Sequence, residues 1–106
     1  MQFRSALVTL ALSIISFSSN AAAASCAVCA PTIVFDGLTR TLTLSREEED
    51  NTLQCNYDTP PIEGFSPGCL YLNVDGQLIF TNTAGSLFSL PGACPSTLPL
   101  VEKTSC

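Results

Sequence analysis

The chain contains no histidine and no tryptophan, and only four of its 106 residues are Lys or Arg. Without histidine, the usual general base near neutral pH and the commonest metal ligand are missing. Ser-His-Asp and Cys-His hydrolases are excluded in their usual forms. Without tryptophan, the case for a carbohydrate-binding face is weakened, although Tyr57, Phe65 and Tyr71 can stack on sugar rings. The scarcity of Lys and Arg argues against nucleic acid as a partner, because phosphate contacts need clustered cations. It argues equally against a peptide that attacks anionic membranes, which carries a basic face. No Asn-x-Ser/Thr sequon is present, so no N-glycan is expected.

Long apolar runs are also absent once the N-terminus is passed. Residues 1–24 have the layout of a secretory signal peptide, with Arg4 ahead of a 12-residue apolar core from Ala6 to Phe17 and small residues from Ser18 to Ala24. Ala22 and Ala24 fit cleavage before Ser25, and Ser19 with Ala21 offers a second site. The core is shorter than the ~20 residues of a membrane helix. No membrane span is expected after cleavage, and the C-terminus has no apolar tail for a lipid anchor. Removing residues 1–24 leaves an 82-residue domain, 25–106, with three cations against nine acids and a net charge of −6.

What the chain does have is six cysteines: Cys26, Cys29, Cys55, Cys69, Cys94 and Cys106. In a short chain behind a signal peptide they read as a disulfide framework and a secreted, extracellular location. A domain of this size is marginal on its core alone. Each disulfide closing a loop of 15 residues adds about 3 kcal/mol in the chain-entropy picture, so three rival the ~5–15 kcal/mol of an ordinary domain. Cys26-Ala-Val-Cys29 is a CxxC, but it opens a strand-rich segment and has no second CxxC to complete a metal site. Structural half-cystines are the expectation; no metal, cofactor or catalytic residue is expected.

Local patterns predict an all-β, small disulfide-rich domain with about six short antiparallel strands and two Asp-Gly hairpins. Thr32–Phe35 is a β-branched and aromatic run followed by Asp36-Gly37, the dipeptide of a type I′ turn. Leu38–Leu44 alternates, with Thr39, Thr41 and Thr43 on one face and Leu38, Arg40, Leu42 and Leu44 on the other. Arg40 on the apolar face implies an edge or a partner carboxylate. Arg46–Asn51 breaks the pattern. Thr52–Tyr57, Cys69–Val74, Gln77–Thr81 and Leu87–Leu90 complete the set, with a second hairpin at Asp75-Gly76. Pro91, Pro95 and Pro99 predict an extended tail outside any sheet, pinned by Cys106.

The spacing hints at a duplication. Asp36 stands 19 positions before Cys55, and Asp75 stands 19 before Cys94. If the halves are equivalent, Cys29 pairs with Cys55, Cys69 with Cys94, and Cys26 with Cys106, one of 15 possible connectivities.

Two surface features remain. Glu47-Glu48-Glu49-Asp50 lacks the alternating spacing of a calcium loop and reads as a solvated turn. Asp58–Gly68 holds three prolines and two glycines between Cys55 and Cys69. Pro60, Pro61, Ile62, Glu63, Phe65 and Pro67 form the candidate binding loop. Phe65 is either displayed for a partner or folded back as a lid, and the lid is the simpler expectation.

The segments CAVCAPTIVFDGLTRTLTL and QCNYDTPPIEGFSPGCLY, with the Cys-rich tail, resemble the small secreted cysteine-rich proteins of basidiomycete fungi. The resemblance covers most of the domain and brings no catalytic residues. Hydrophobins are a poor match, since they carry eight cysteines with adjacent pairs. Composition and resemblance together imply a non-enzymatic protein that binds an extracellular protein or glycan, as an effector or at the cell surface or matrix. A small protease inhibitor presenting the framed loop is the alternative.

Overall fold

The computed structural model describes residues 23–85 and 91–106. The expected signal segment therefore lies outside the described residues except for Ala23 and Ala24, and the expected strand Leu87–Leu90 lies outside them but for its neighbours. Among the described residues there is no helix. Eight short strands among the described residues form three antiparallel sheets: β1 (Ala24–Ala27) with β8 (Leu100–Lys103), β2 (Thr32–Phe35) with β3 (Leu38–Thr41), and a four-stranded sheet. The last has the order β4 (Leu44–Glu48), β5 (Thr52–Asn56), β6 (Gly68–Leu72), β7 (Leu78–Thr81).

The first Asp-Gly turn forms as expected. Asp36 (φ 60°) and Gly37 (φ 79°) are both left-handed, and Phe35 pairs with Leu38 across a two-residue loop. The second does not. Only Gly76 (φ 75°) is left-handed there; Gly76 N–H returns to Leu72 O, and Leu72 N–H reaches Gln77 O. The connection is a longer turn over residues 73–77. An added Cβ at Gly76 would collide with the carbonyl of Leu98, so close packing of the C-terminal segment shapes this corner.

Three other expectations are corrected. Leu38–Leu44 is two strands rather than one. Thr41 N–H is taken by Thr59 O (2.8 Å), Leu42 N–H by Pro31 O (2.9 Å) and Thr43 N–H by Asn56 O (2.8 Å), so the chain leaves β2 and turns onto β5. Arg46–Asn51 is not all loop: Arg46, Glu47 and Glu48 lie in β4, and the turn is Glu49–Asn51, with Asp50 (φ 62°) and Asn51 (φ 56°) left-handed. Asp and Asn tolerate that conformation better than other side chains. The proline-rich tail does join a sheet. Past Pro99 nothing removes a donor, and β8 pairs with β1 in the register Cys26↔Val101. β1 itself was hidden by its place at the signal boundary.

The core is built as much from sulfur and tyrosine as from aliphatics. Cys29, Cys55, Cys69 and Cys94 are buried with Ile33, Leu53, Tyr57, Tyr71 and Leu98. Asn73 is also fully buried and is satisfied at every side: its Oδ1 accepts Ala27 N–H (2.8 Å), and its Nδ2 donates to Glu47 Oε1 (2.6 Å) and Asn51 Oδ1 (3.2 Å). One amide thus joins β1, β4 and two turns.

Candidate functional site

The proline-rich loop leaves β5 after Asn56 and returns to β6 at Gly68, and it is tied down along its length. Tyr57 N–H donates to Pro67 O (2.9 Å). The Asp58 carboxylate accepts from Thr43 Oγ1 and Ser66 Oγ, both at 3.0 Å. Asn82 Nδ2 donates to Ser66 O (2.9 Å). At the tip, Phe65 N–H closes onto Ile62 O (3.2 Å) across Glu63 and Gly64, with Gly64 at φ 75°. Such a turn favours glycine at its third position.

Arg40 fixes the loop to the β2–β3 hairpin. It is only 3% exposed and lies on β3, an edge strand of its two-stranded sheet, which is the first of the two expected alternatives; among the described residues no carboxylate meets it. Its Nε donates to Phe35 O (3.1 Å) and its Nη1 to Pro60 O. A planar guanidinium with several donors can serve two carbonyls at once. Its plane also stands over the Phe35 ring, 6.0 Å from the centroid. Phe35 in turn stacks on Phe65, with centroids 5.9 Å apart and planes inclined by 27°.

Phe65 is therefore a lid that keeps 36% of its surface exposed. Pro67 is fully buried and serves the core rather than a surface. Pro60, Pro61 and Glu63 are exposed and Ile62 is half-buried. Of the six candidate loop residues, five share the outer rim and one does not. Leu38, expected on the apolar face, is 52% exposed at the hairpin tip beside this rim, as Phe35's cross-strand partner.

Behind the loop stands a disulfide frame. The bridges are Cys26–Cys106, Cys29–Cys55 and Cys69–Cys94, which are the pairs that the repeat spacing predicts. The two CxxC cysteines go to different partners. Tyr57 OH donates to Ala30 O, and Tyr71 OH donates to Pro95 O, both at 2.8 Å. Burial pushes the Tyr57 hydroxyl up to about 12, and burial with the neighbouring Tyr57 pushes Tyr71 up as well. Both phenols stay neutral donors through the physiological range.

The acidic run is divided by its geometry. Glu47 serves Asn73, while Glu48 pairs with Arg46 on the surface of β4. Arg40, Asn73 and the two tyrosines were not singled out from sequence as structural anchors. The available signals were a lone cation on an apolar strand face and the repeated Cys-x-Tyr at Cys55–Tyr57 and Cys69–Tyr71.

Fold and bridges define a small cysteine-rich all-β domain whose three disulfides fit an extracellular protein. No protein-family model, curated protein or solved structure matches the chain.

Proposed function

We propose that the chain is a secreted, non-enzymatic protein that acts by binding an extracellular protein or glycan, in the manner of the small secreted cysteine-rich proteins of basidiomycetes. The observation that carries this reading is the rigidity of an exposed rim. Pro60, Pro61, Ile62, Glu63 and Phe65 are held by Arg40, by the Phe35–Phe65 stack and by the Asp58 hydrogen bonds. A surface fixed before binding loses little conformational entropy when a partner arrives. The lack of histidine supports a role without catalysis.

The test is capture from secretions and cell-surface extracts on immobilised protein, with a reduced and alkylated sample as control. Retention that depends on the disulfides and falls with Ile62→Ala or Glu63→Ala supports the reading. Equal retention by the unfolded control removes it. A protease panel run in parallel separates the inhibitor alternative. The closed Ile62–Phe65 turn is unlike the extended segment that a substrate-like inhibitor offers, so no inhibition is expected.

A further inference from the structure

The four-stranded sheet has a second face, turned away from Cys55 and Cys69. Cross-strand pairing places two rows of side chains there. Asn56 pairs with Gly68, and Gly68 N–H donates to Asn82 Oδ1 (2.9 Å), which gives the row Asn56–Gly68–Asn82. Gln54 pairs with Leu70 and Leu70 with Phe80, which gives the row Gln54–Leu70–Phe80. Because Gly68 has no side chain, the first row is notched. The result is a groove of about 290 Å³ lined by these residues and by Cys69, just below the ~300–1,000 Å³ typical of ligand sites.

The chemistry of the groove is specific. Among the described residues none that lines it is charged; Arg46, the cross-strand partner of Gln54, is paired with Glu48. The amides are oriented by a relay. Gln54 Nε2 donates to Asn56 Oδ1, Asn56 Nδ2 donates to Ser66 Oγ (2.8 Å), and Ser66 Oγ donates to the Asp58 carboxylate (3.0 Å). A carboxylate can only accept, so it sets the direction of every bond before it. Among the described residues Gln54 Oε1 meets no donor, and Gln54, Asn56 and Asn82 each commit one of two amide N–H groups, which leaves one apiece for a ligand. Beside them Phe80 is 47% exposed. Its ring face is electron-rich and suits polarised C–H groups.

We infer that this groove is a binding site for one or two rings of a neutral saccharide. Hydroxyls both donate and accept, as the mixed amide set requires, while the C–H face of a sugar ring matches Phe80. A phosphorylated or acidic ligand would find no cation in the groove. An extended peptide would find no free backbone on the floor of the groove, where β6 is paired on both sides; the open edge lies outside it, along β7, where Leu78 N–H already donates to Ser96 O (3.0 Å). The inference rests on the reading that the chain acts by binding, and it names a ligand class and a place for it.

The experiment is an NMR titration of the secreted, fully oxidised protein with neutral trisaccharides of β-linked glucose, β-linked N-acetylglucosamine and α-linked mannose. A neutral proline-free hexapeptide is the comparison. Saturable shifts centred on Gln54, Asn56, Gly68, Leu70, Phe80 and Asn82 with at least one sugar are expected. Phe80→Ala should weaken that binding about 3- to 10-fold. Gly68→Ala places a Cβ 3.0 Å from Asn56 Nδ2 and should block the notch. The exposed Phe80 variant keeps the test valid if the glycine variant folds poorly. Silence from all three sugars, shifts that survive Phe80→Ala, or shifts with the peptide alone would overturn the inference. If a partner is still captured through Ile62 and Glu63 while no sugar binds, the groove assignment fails and the binding reading stands.

Discussion

Cys55 and Cys69 face each other across β5 and β6, yet each bonds to a cysteine elsewhere, Cys55 to Cys29 and Cys69 to Cys94. The point between them is a local pseudo-twofold axis. Cys29 Sγ lies 3.4 Å from Ser45 Oγ, and Cys94 Sγ lies 3.0 Å from Thr81 Oγ1; Ser45 and Thr81 are the outer neighbours of Cys55 and Cys69. Tyr57 and Tyr71, each two residues past its cysteine, donate to the carbonyl after the cysteine's partner. The axis exchanges Cys29 with Cys94, not with Cys69 as a tandem duplication would. The spacing repeat gave the right pairs, but the symmetry of the structure is a different one.

That symmetry predicts equal costs. The loops closed by Cys29–Cys55 and Cys69–Cys94 span 26 and 25 residues. Replacing either pair by alanine should cost about 3.5 kcal/mol. Cys26–Cys106 spans 80 residues, which alone implies about 4.5 kcal/mol, but the other bridges shorten its unfolded loop to about 30 residues. Its loss should then cost about 3.7 kcal/mol. Urea midpoints of the three paired variants measure this, and a much larger loss from the terminal pair would contradict it.

The two buried phenols predict alkaline sensitivity. Their pKa values rise on folding, so their contribution is complete below about 10, the value in the unfolded chain, and is lost as pH climbs toward about 12. Each should lower stability by about 1.4 kcal/mol per pH unit in that window. Tyr57→Phe should halve the slope while costing about 1–2 kcal/mol at neutral pH, because Ala30 O loses its donor. Short-exposure urea titrations at several pH values read both effects.

Asn73→Asp replaces the donor facing Glu47 with an acceptor. A buried carboxylate would then oppose Glu47 across the distance now bridged at 2.6 Å. The variant should be destabilised by about 3 kcal/mol at pH 7. The new carboxyl is held above its unfolded value, so stability is present at acid pH and lost as pH rises past about 4. Melting temperatures that do not improve on acidification, relative to the parent chain, would refute this.

Arg40→Lys keeps the charge but not the fork. One ammonium cannot bridge Phe35 O and Pro60 O as the guanidinium does. A loss of about 1–3 kcal/mol is expected. Hydrogen exchange should quicken at Phe65 and Thr41, whose N–H groups close the loop and join it to β3. Unchanged exchange there would mean that Arg40 does not hold the loop.

The features legible in the sequence were those set by neighbours in the chain. Asp36-Gly37 forms its turn because two adjacent residues accept positive φ. Thr52–Asn56 and Leu78–Thr81 are strands because their side chains suit a pleated sheet. Pairings over long separations were not legible: β1 with β8, or Thr41 with Thr59, which breaks the expected strand at Leu42. Nor were buried polar anchors. Arg40 stands out as a cation on an apolar face, but its carbonyl partners Phe35 and Pro60 do not show in the sequence, and Asn73 looks like a surface residue until the groups around it are known. The amide rows of the groove depend on register, which one residue's slip would reverse.

The Cys26–Cys106 bridge joins β1 to the last residue and makes residues 26–106 a covalent ring. A single proteolytic cut at any peptide bond within that ring opens it without producing two molecules. Even a nick at the exposed Pro61–Gly64 tip would leave the fragments linked, both by the bridge and by the paired β5 and β6 on either side. In the protease-rich extracellular setting that three disulfides fit, damage at one site would not mean loss of the molecule.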